Sequence, residues 1–512
     1  MALGLFAIAP VLGAQESRAT ADSVLDAWFD AEWKRQGVKP SPAADDAAFL
    51  RRVTLDLTGS LPSPEDVRGF QKSGRKEKRV EKIDELLSSP KAAQYFAHLW
   101  VQWLMGHDID FRDQARLNVG GLTRWLREAW TRDVPYDELV RAFLGSAGTV
   151  RENPPVTFIA KHLTREDPPS ALAGASARLF LGRDVRCAQC HDHPFEKITQ
   201  EEFWRFAAFF RTLVRTNDGV AEGPARPPAA PREDMGELFA EPRFLDGRGP
   251  DPGEARGKAL ARLVLTADGD AAAKAIVDRM WKLLFGRSLA PGKGSKGKPE
   301  ILDLLVKDFL RQKWSLRAFV RSVAVSRAYQ LSSEGPETAR REYAAGPLKM
   351  MNSVQFMRVW NFAFQWETYY RRIYAKDPQR AAFFNDPDAF WVDQTMRAKE
   401  LLFPKGRDPE EVLTSGTDRL ALKLMNNRDL QLLMLAKFQE TGHKSLVHRV
   451  VDDLSDPAKR LEELFLLMVS RHPTAAEKSR LLAHAKRFVD PYQAFGDVFW
   501  MLFNSSEFIF VG

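Results

Sequence analysis

Cysteine is nearly missing from this chain: 512 residues contain only Cys187 and Cys190. A disulfide framework cannot hold so long a polypeptide, so the pair is a local redox dithiol, a metal site, a haem attachment or an accident. Long apolar runs are missing too. Past the amino terminus no stretch reaches about eighteen uncharged apolar residues, which leaves the body of the chain without a spanning helix. Excess charge is small: 75 Lys and Arg face 68 Asp and Glu, a net of +7, poor support for nucleic-acid binding. Neither Gly-x-Ser-x-Gly nor His-Glu-x-x-His occurs. The glycine- and lysine-bearing stretch 292–297 lacks the ordered Lys-Ser or Lys-Thr of a phosphate loop. What is present is globular composition, 44% hydrophobic and 28% charged, which excludes a collagen, a mucin stalk or a wholly disordered chain.

Helical signals dominate. The amphipathic stretch 22–35 places Leu25, Trp28, Phe29 and Trp33 toward a core. Ser63-Pro64-Glu65-Asp66 supplies a cap, a proline at the first helical position and acids in the first turn. The device recurs at Ser89-Pro90 and at Asp133-Val134-Pro135, and Thr199 with Glu202 forms a capping pair. Segment 49–57 shows apolar residues at Val53, Leu55 and Leu57, an alternation that points Asp56 away from the core or into a structural ion pair with Arg51 or Arg52. Further helices are expected at 170–181, 259–265, 271–284, 299–309, 316–325, 353–370, 420–435, 461–469, 474–487 and 495–504. Pro224, Pro227, Pro228 and Pro231 make 217–253 a long loop or linker. The expected fold is mainly α, a multi-helical two-domain protein with few strands. Its parts are a signal peptide at 1–14, shortened at its start, a helical domain at 20–214, a linker at 215–256 and a second helical domain at 257–512.

The chemically informative stretch is Cys187-Ala188-Gln189-Cys190-His191-Asp192-His193-Pro194-Phe195. Cys-x-x-Cys-His is the spacing of covalent haem c attachment: two thiols reach the two vinyl groups and the next imidazole ligates the iron. Attachment of this kind takes place outside the cytoplasm, in agreement with the amino-terminal segment. The chemical rivals are a thiol–disulfide centre and a zinc or non-haem iron site using His191 and His193, with Asp192 or a distant residue such as His98. Adjacent Cys190 and His191 converge poorly on one tetrahedral ion. His193 is a candidate ligand, or a donor that orients a neighbouring ligand. Candidates for a sixth haem ligand are His98, His107, His162, Met105 and methionines of the second half. Asp108 and Asp110 could bind a cation or face solvent.

The motifs carry a resemblance. Phe49-Leu50-Arg51-Arg52-Val53-Thr54-Leu55-Asp56-Leu57-Thr58-Gly59 with Leu61-Pro62, the cysteine motif through Phe195, and Thr199-Gln200 with Phe209-Phe210 form one set. Asp278-Arg279-Met280-Trp281, Leu284-Phe285-Gly286-Arg287, Ser326-Arg327-Ala328-Tyr329-Gln330 and Asn504-Ser505-Ser506-Glu507-Phe508 form a second. From about residue 45 onward the chain resembles large secreted planctomycete-type proteins that combine domains of unknown function 1549 and 1553, the first a cytochrome-like module. Two positions depart from the family pattern: Asp278 stands for the usual asparagine, and Lys298-Pro299-Glu300 for the usual His-Pro-Glu. The resemblance implies electron transfer or help in extracellular polymer breakdown. The expectation is a periplasmic or secreted c-type haem-binding protein, with haem c on Cys187, Cys190 and His191. Its partner would be an extracellular redox protein or a polysaccharide, with no nucleic acid. The alternatives are a non-haem metal-dependent enzyme acting on extracellular polysaccharide, with zinc or iron on His191 and His193, and a structural or binding protein with a disulfide or metal clip.

Overall fold

The structure, a computed structural model, describes residues 12–105, 111–224, 241–291, 297–378 and 444–512, with the single positions 381, 385, 386, 388 and 391. It is predominantly α-helical, with two helix-rich domains and few, short strands. The described residues of the expected signal segment, 12–14, open a helix running Leu12–Gln36. Leu25, Phe29 and Trp33 are buried on its inner face, and Phe29 stacks near Trp281.

The caps read from the sequence form where a side-chain oxygen can reach the first-turn amides. Ser63 and Asp66 make a reciprocal capping box on helix Pro64–Lys72, and Thr199 and Glu202 do the same on Gln200–Ala207. Asp133 does otherwise. Its φ is +53°, and its carboxylate accepts from the Ser315 hydroxyl at 2.9 Å, so it ties two helices together instead of capping Tyr136–Leu144. The expected helix 353–370 is two helices, Ser353–Phe364 and Trp366–Ile373, broken where Gln365 takes a left-handed φ of +53°. The expected helix at 420–435 lies outside the described residues.

Segment 49–57 is a correction. It is not extended but belongs to helix Asp46–Thr58, capped by Asp45, and every residue from Phe49 to Thr58 is buried. The helix lies between two apolar cores. Phe49, Leu50, Val53 and Leu57 join a core built chiefly from residues between 25 and 345, with Val354 and Leu466. Leu55 joins the other, built chiefly from Ser353–Phe364, Leu446–Asp453, Pro457–Val469 and Pro491–Phe503. With core on every side, the polar residues of this helix must find partners inside the protein. Asp56 pairs neither with Arg51 nor with Arg52. It meets Lys349 at 2.8 Å and accepts from the Tyr329 hydroxyl at 2.8 Å. Arg51 donates to the carbonyls of Met468, Glu507 and Phe508, and Arg52 to those of Tyr329 and Leu331.

The start of the proline-rich stretch is ordered. β2 (Leu213–Arg215) and β3 (Gly219–Glu222) form an antiparallel hairpin, and β1 (Gly148–Thr149) pairs with the other edge of β3. A Cβ on Gly219 would lie 2.0 Å from the Gly148 carbonyl, so only glycine fits this approach. Beyond it Phe244 is buried against Phe206. A second antiparallel pair, β4 (Lys349–Met350) with β5 (Phe510–Val511), brings the chain's end against Lys349.

Candidate functional site

The cysteine motif sits at the end of a helix that changes pitch. Pro168–Ser176 is α-helical, and Ala177–Leu181 continues as a π-turn that stops at Gly182, φ +66°. A π-turn leaves carbonyls poorly satisfied at its end. Arg279, from helix Ala271–Phe285 of the second half, supplies the donors: its Nη1 reaches the Leu179 carbonyl at 2.8 Å and its Nη2 the Arg178 carbonyl at 3.1 Å. Asp278 beside it accepts from the amides of Leu289 and Ala290 and from the Ser288 hydroxyl, fixing the turn after the helix. Met280 and Trp281 are fully buried. Arg279 of this four-residue motif therefore braces the base of the cysteine loop, while Asp278 and the pair Met280 and Trp281 hold its own helix in place.

The loop begins as one 3-10 turn, Arg186–Gln189, anchored by buried Ala188. Its inner side is pinned through one carbonyl. The Gln189 oxygen accepts from Trp204 Nε1 and from Gln200 Nε2, each at 3.1 Å. Asp192 Oδ1 accepts from the Gln200 amide at 2.8 Å at the start of helix Gln200–Ala207, where a carboxylate is favoured. Arg183 pairs with Glu196 at 2.7 Å across the loop's neck. The outer side carries the thiols. Cys187 and Cys190 are free thiols, and both are exposed.

The two histidines differ in state. His193 Nδ1 faces the amides of Phe195 (3.2 Å) and Glu196 (2.9 Å), so it is the unprotonated acceptor. Its Nε2 therefore carries the proton and donates to the Asp184 carbonyl at 3.1 Å. Both ring nitrogens of His193 are thus engaged in shaping the loop. His191 is exposed, and its Nδ1 lies 2.7 Å from the Asp192 carbonyl, a contact only an Nδ1–H can make. Its Nε2 is left as a lone pair with no protein partner among the described residues. A backbone carbonyl holding Nδ1–H is the arrangement that orients an imidazole for iron or zinc through Nε2. Beside these groups Phe195 is 83% exposed, an aromatic ring presented to solvent.

The other candidate ligands are elsewhere. His98 is buried and receives Arg358 Nη2 on its Nδ1 at 3.3 Å, and burial holds it well below the usual histidine range. His162 packs edge-on to Phe158 and is pushed down to about 3 by burial. Met105 is in the first core, and Met350, Met351, Met357 and Met468 are in the second. His107, Asp108 and Asp110 lie outside the described residues. Among the described residues no group of three or more His, Cys, Asp and Glu side chains is gathered as an ion would require. Gln200 and Arg279 stand in sequence motifs, but their roles here were not legible: Gln200 and Trp204 act through a carbonyl, and the partners of Arg279 lie about a hundred residues away.

Residues 24–215 match the family PSCyt2, described as a protein of unknown function (DUF1549), and residues 256–359 match PSD1, likewise of unknown function (DUF1553). The chain carries both domains. The cysteine loop lies in the PSCyt2 domain, and its brace, Arg279, lies in the PSD1 domain. No curated protein and no solved structure matches the chain. The two departures from the family pattern are accommodated locally. Asp278 holds its turn with three hydrogen bonds, and Lys298 pairs with Glu342 and, at 3.5 Å, with Glu32. No described helix is long and apolar enough to cross a membrane.

Proposed function

We propose that the PSCyt2 loop holds haem c through Cys187 and Cys190, with His191 as axial ligand, and that the protein transfers electrons in the periplasm or outside the cell. The observation that carries this reading is His191: Nδ1 fixed on the Asp192 carbonyl, Nε2 free, and two unpaired thiols exposed on the preceding turn. Haem, when bound, supplies a one-electron iron couple whose potential follows its ligands and burial. The chain's own residues hold and orient it. Cys187 and Cys190 would form the thioethers. Trp204 and Gln200 keep the turn from shifting by pinning the Gln189 carbonyl. Phe195 offers an exposed apolar face beside His193, suited to shield a porphyrin or to meet a redox partner. A non-haem zinc or iron centre on His191 and His193, acting on polysaccharide, fits less well, because His193 would have to give up either its Nε2 bond to the Asp184 carbonyl or both amide bonds at Nδ1 to bind an ion.

The test is expression with export in a host equipped for covalent haem attachment. The expected product is coloured, keeps its Soret band through acid-acetone extraction and has the mass of one added haem. Cys187→Ala with Cys190→Ala should abolish the covalent haem, while His191→Ala should keep the mass and change the spectrum. A colourless protein of unmodified mass under haem-sufficient conditions overturns the proposal, and bound metal without porphyrin supports the non-haem site.

A further inference from the structure

A second feature is unrelated to the cysteine loop. The Ser353–Phe364 helix carries one arginine, Arg358, in an otherwise apolar and amide-bearing run. Its side chain is 6% exposed and lines a cleft of about 980 Å³ between that helix, the turn 60–65 and the Leu446–Asp453 helix. A guanidinium has five N–H donors in a planar fork. Here one Nη donates to His98 Nδ1 at 3.3 Å, and Nε has no partner. Among the described residues no carboxylate lies within 4.0 Å of Arg358. Of the acids that line the cleft, Glu367 pairs with Arg371 at 2.6 Å, Glu463 with Arg68 at 2.5 Å and Glu462 with Arg68 at 3.9 Å, while Glu65 and Asp453 also border it. His98 does not neutralise the cation, because burial keeps it uncharged at neutral pH. Burial pushes Arg358 down only to about 10, so it stays charged. A buried, charged and largely unbonded fork is costly unless a ligand completes it.

The cleft is too large for an inorganic anion alone, and its lining is mixed: Lys91, Arg449 and Lys459 stand with Glu65, Asp453 and Glu462, beside an apolar strip. Trp391 lies 5.2 Å from the Arg358 guanidinium, Phe362 is 36% exposed, and Leu61 and Val450 flank them. We propose that this cleft binds a small organic acid, its carboxylate meeting the Arg358 fork and its body lying along Phe362, Trp391 and Leu61. Arginine suits this task because the fork matches both carboxylate oxygens at once.

Isothermal titration of the full chain at pH 7 tests it, with benzoate and galacturonate as carboxylates, benzamide as the neutral counterpart of benzoate, and sulfate as an inorganic anion. At least one carboxylate should bind, and benzoate, where it does, at least tenfold tighter than benzamide. Arg358→Met should weaken the carboxylate at least tenfold, and Arg358→Lys by less. Phe362→Ser, at an exposed ring, should weaken the same ligand while leaving the unfolding midpoint unchanged, so the test survives if Arg358→Met fails to fold. The proposal falls if neither carboxylate binds, if benzoate and benzamide bind alike, if sulfate is the sole ligand, or if Phe362→Ser and Arg358→Lys both bind as wild type.

Discussion

Asp56 and Lys349 form an ion pair at 2.8 Å with side-chain exposures of 0% and 4%, and 292 residues of chain lie between them. Every remaining polar atom of the pair is used. Asp56 accepts from Tyr329 and from Gln355 Nε2, and Lys349 donates to the carbonyls of Leu283 and Leu284 at the end of helix Ala271–Phe285. The pair thus fastens the helix between the two cores to the strand β4 and to the PSD1 helix that carries Arg279.

Removing one partner should be severe, because the other is left charged and dry. Lys349→Met or Asp56→Asn is expected to lower unfolding free energy by about 3–5 kcal/mol. The double variant should lose less than the sum of the singles, with a coupling above about 1 kcal/mol. Urea midpoints of the four proteins measure this. Single variants within about 1 kcal/mol of wild type would show that the pair contributes little.

Gly59 ends the same helix at φ +66°, its amide donating to the Leu55 carbonyl. A Cβ there would lie 2.5 Å from Tyr95 Cδ2 and 2.9 Å from Arg358 Cδ. Gly59→Ala therefore adds a clash to the left-handed strain and should destabilise by more than about 1 kcal/mol. The same substitution at Gly37, also at positive φ but with nothing within 4 Å, should cost only the backbone part. Thermal midpoints that fall equally for both would rule out the clash.

What could be read in advance divides along a physical line. Caps at Ser63 and Thr199 and the helix at 316–325 are local, set by residues three or four apart, and the structure has them there. The partners of Asp56, Arg51 and Arg52 lie 273 or more positions away, so no window of sequence contains them. The alternation at Val53, Leu55 and Leu57 misled for a related reason: Phe49, Leu50, Val53 and Leu57 keep a helical spacing toward one core, while Leu55 points into the second core, so an extra apolar residue falls where a solvent face would be polar. At the cysteine loop the spacing was legible, but the state of each imidazole was not. His191 and His193 are both histidines two residues apart, and only the carbonyls and amides around them decide which one keeps a free nitrogen.

Arg471 gathers Glu477 (2.9 Å) and Glu507 (2.6 Å), tying helix Ala475–Ala485 to the chain's end. Its hydrogen bonds, first among the causes, hold the Glu477 carboxyl down to about 2 from an ordinary 4.5. A depressed carboxylate stabilises fully above the unfolded-state value and loses that contribution as pH falls from there toward 2. Glu477→Gln should therefore destabilise by about 1 kcal/mol, small because the pair is about a third exposed. The difference in urea midpoint should be constant from pH 8 to about 5 and shrink below. A difference that grows on acidification would contradict the assignment.

Arg279 supplies the most specific link between the domains. Its two donors hold the Leu179 and Arg178 carbonyls of the π-turn, and its guanidinium lies 5.4 Å from the Trp103 ring. Arg279→Met keeps most of the stem's volume but withdraws both donors, leaving carbonyls next to the cysteine loop without their partner. The expected loss is about 1.5–3 kcal/mol, the range for hydrogen bonds from a charged group. The location of the effect matters more than its size. Amide hydrogen exchange should quicken at 178–190, in the PSCyt2 domain, although the substitution is in the PSD1 domain. Arg287→Met, in the same family motif but stacked over Tyr343, should leave that exchange unchanged. If Arg279→Met speeds exchange only within its own helix, the brace does not reach the loop, and the thiols and His191 are held by contacts within the PSCyt2 domain.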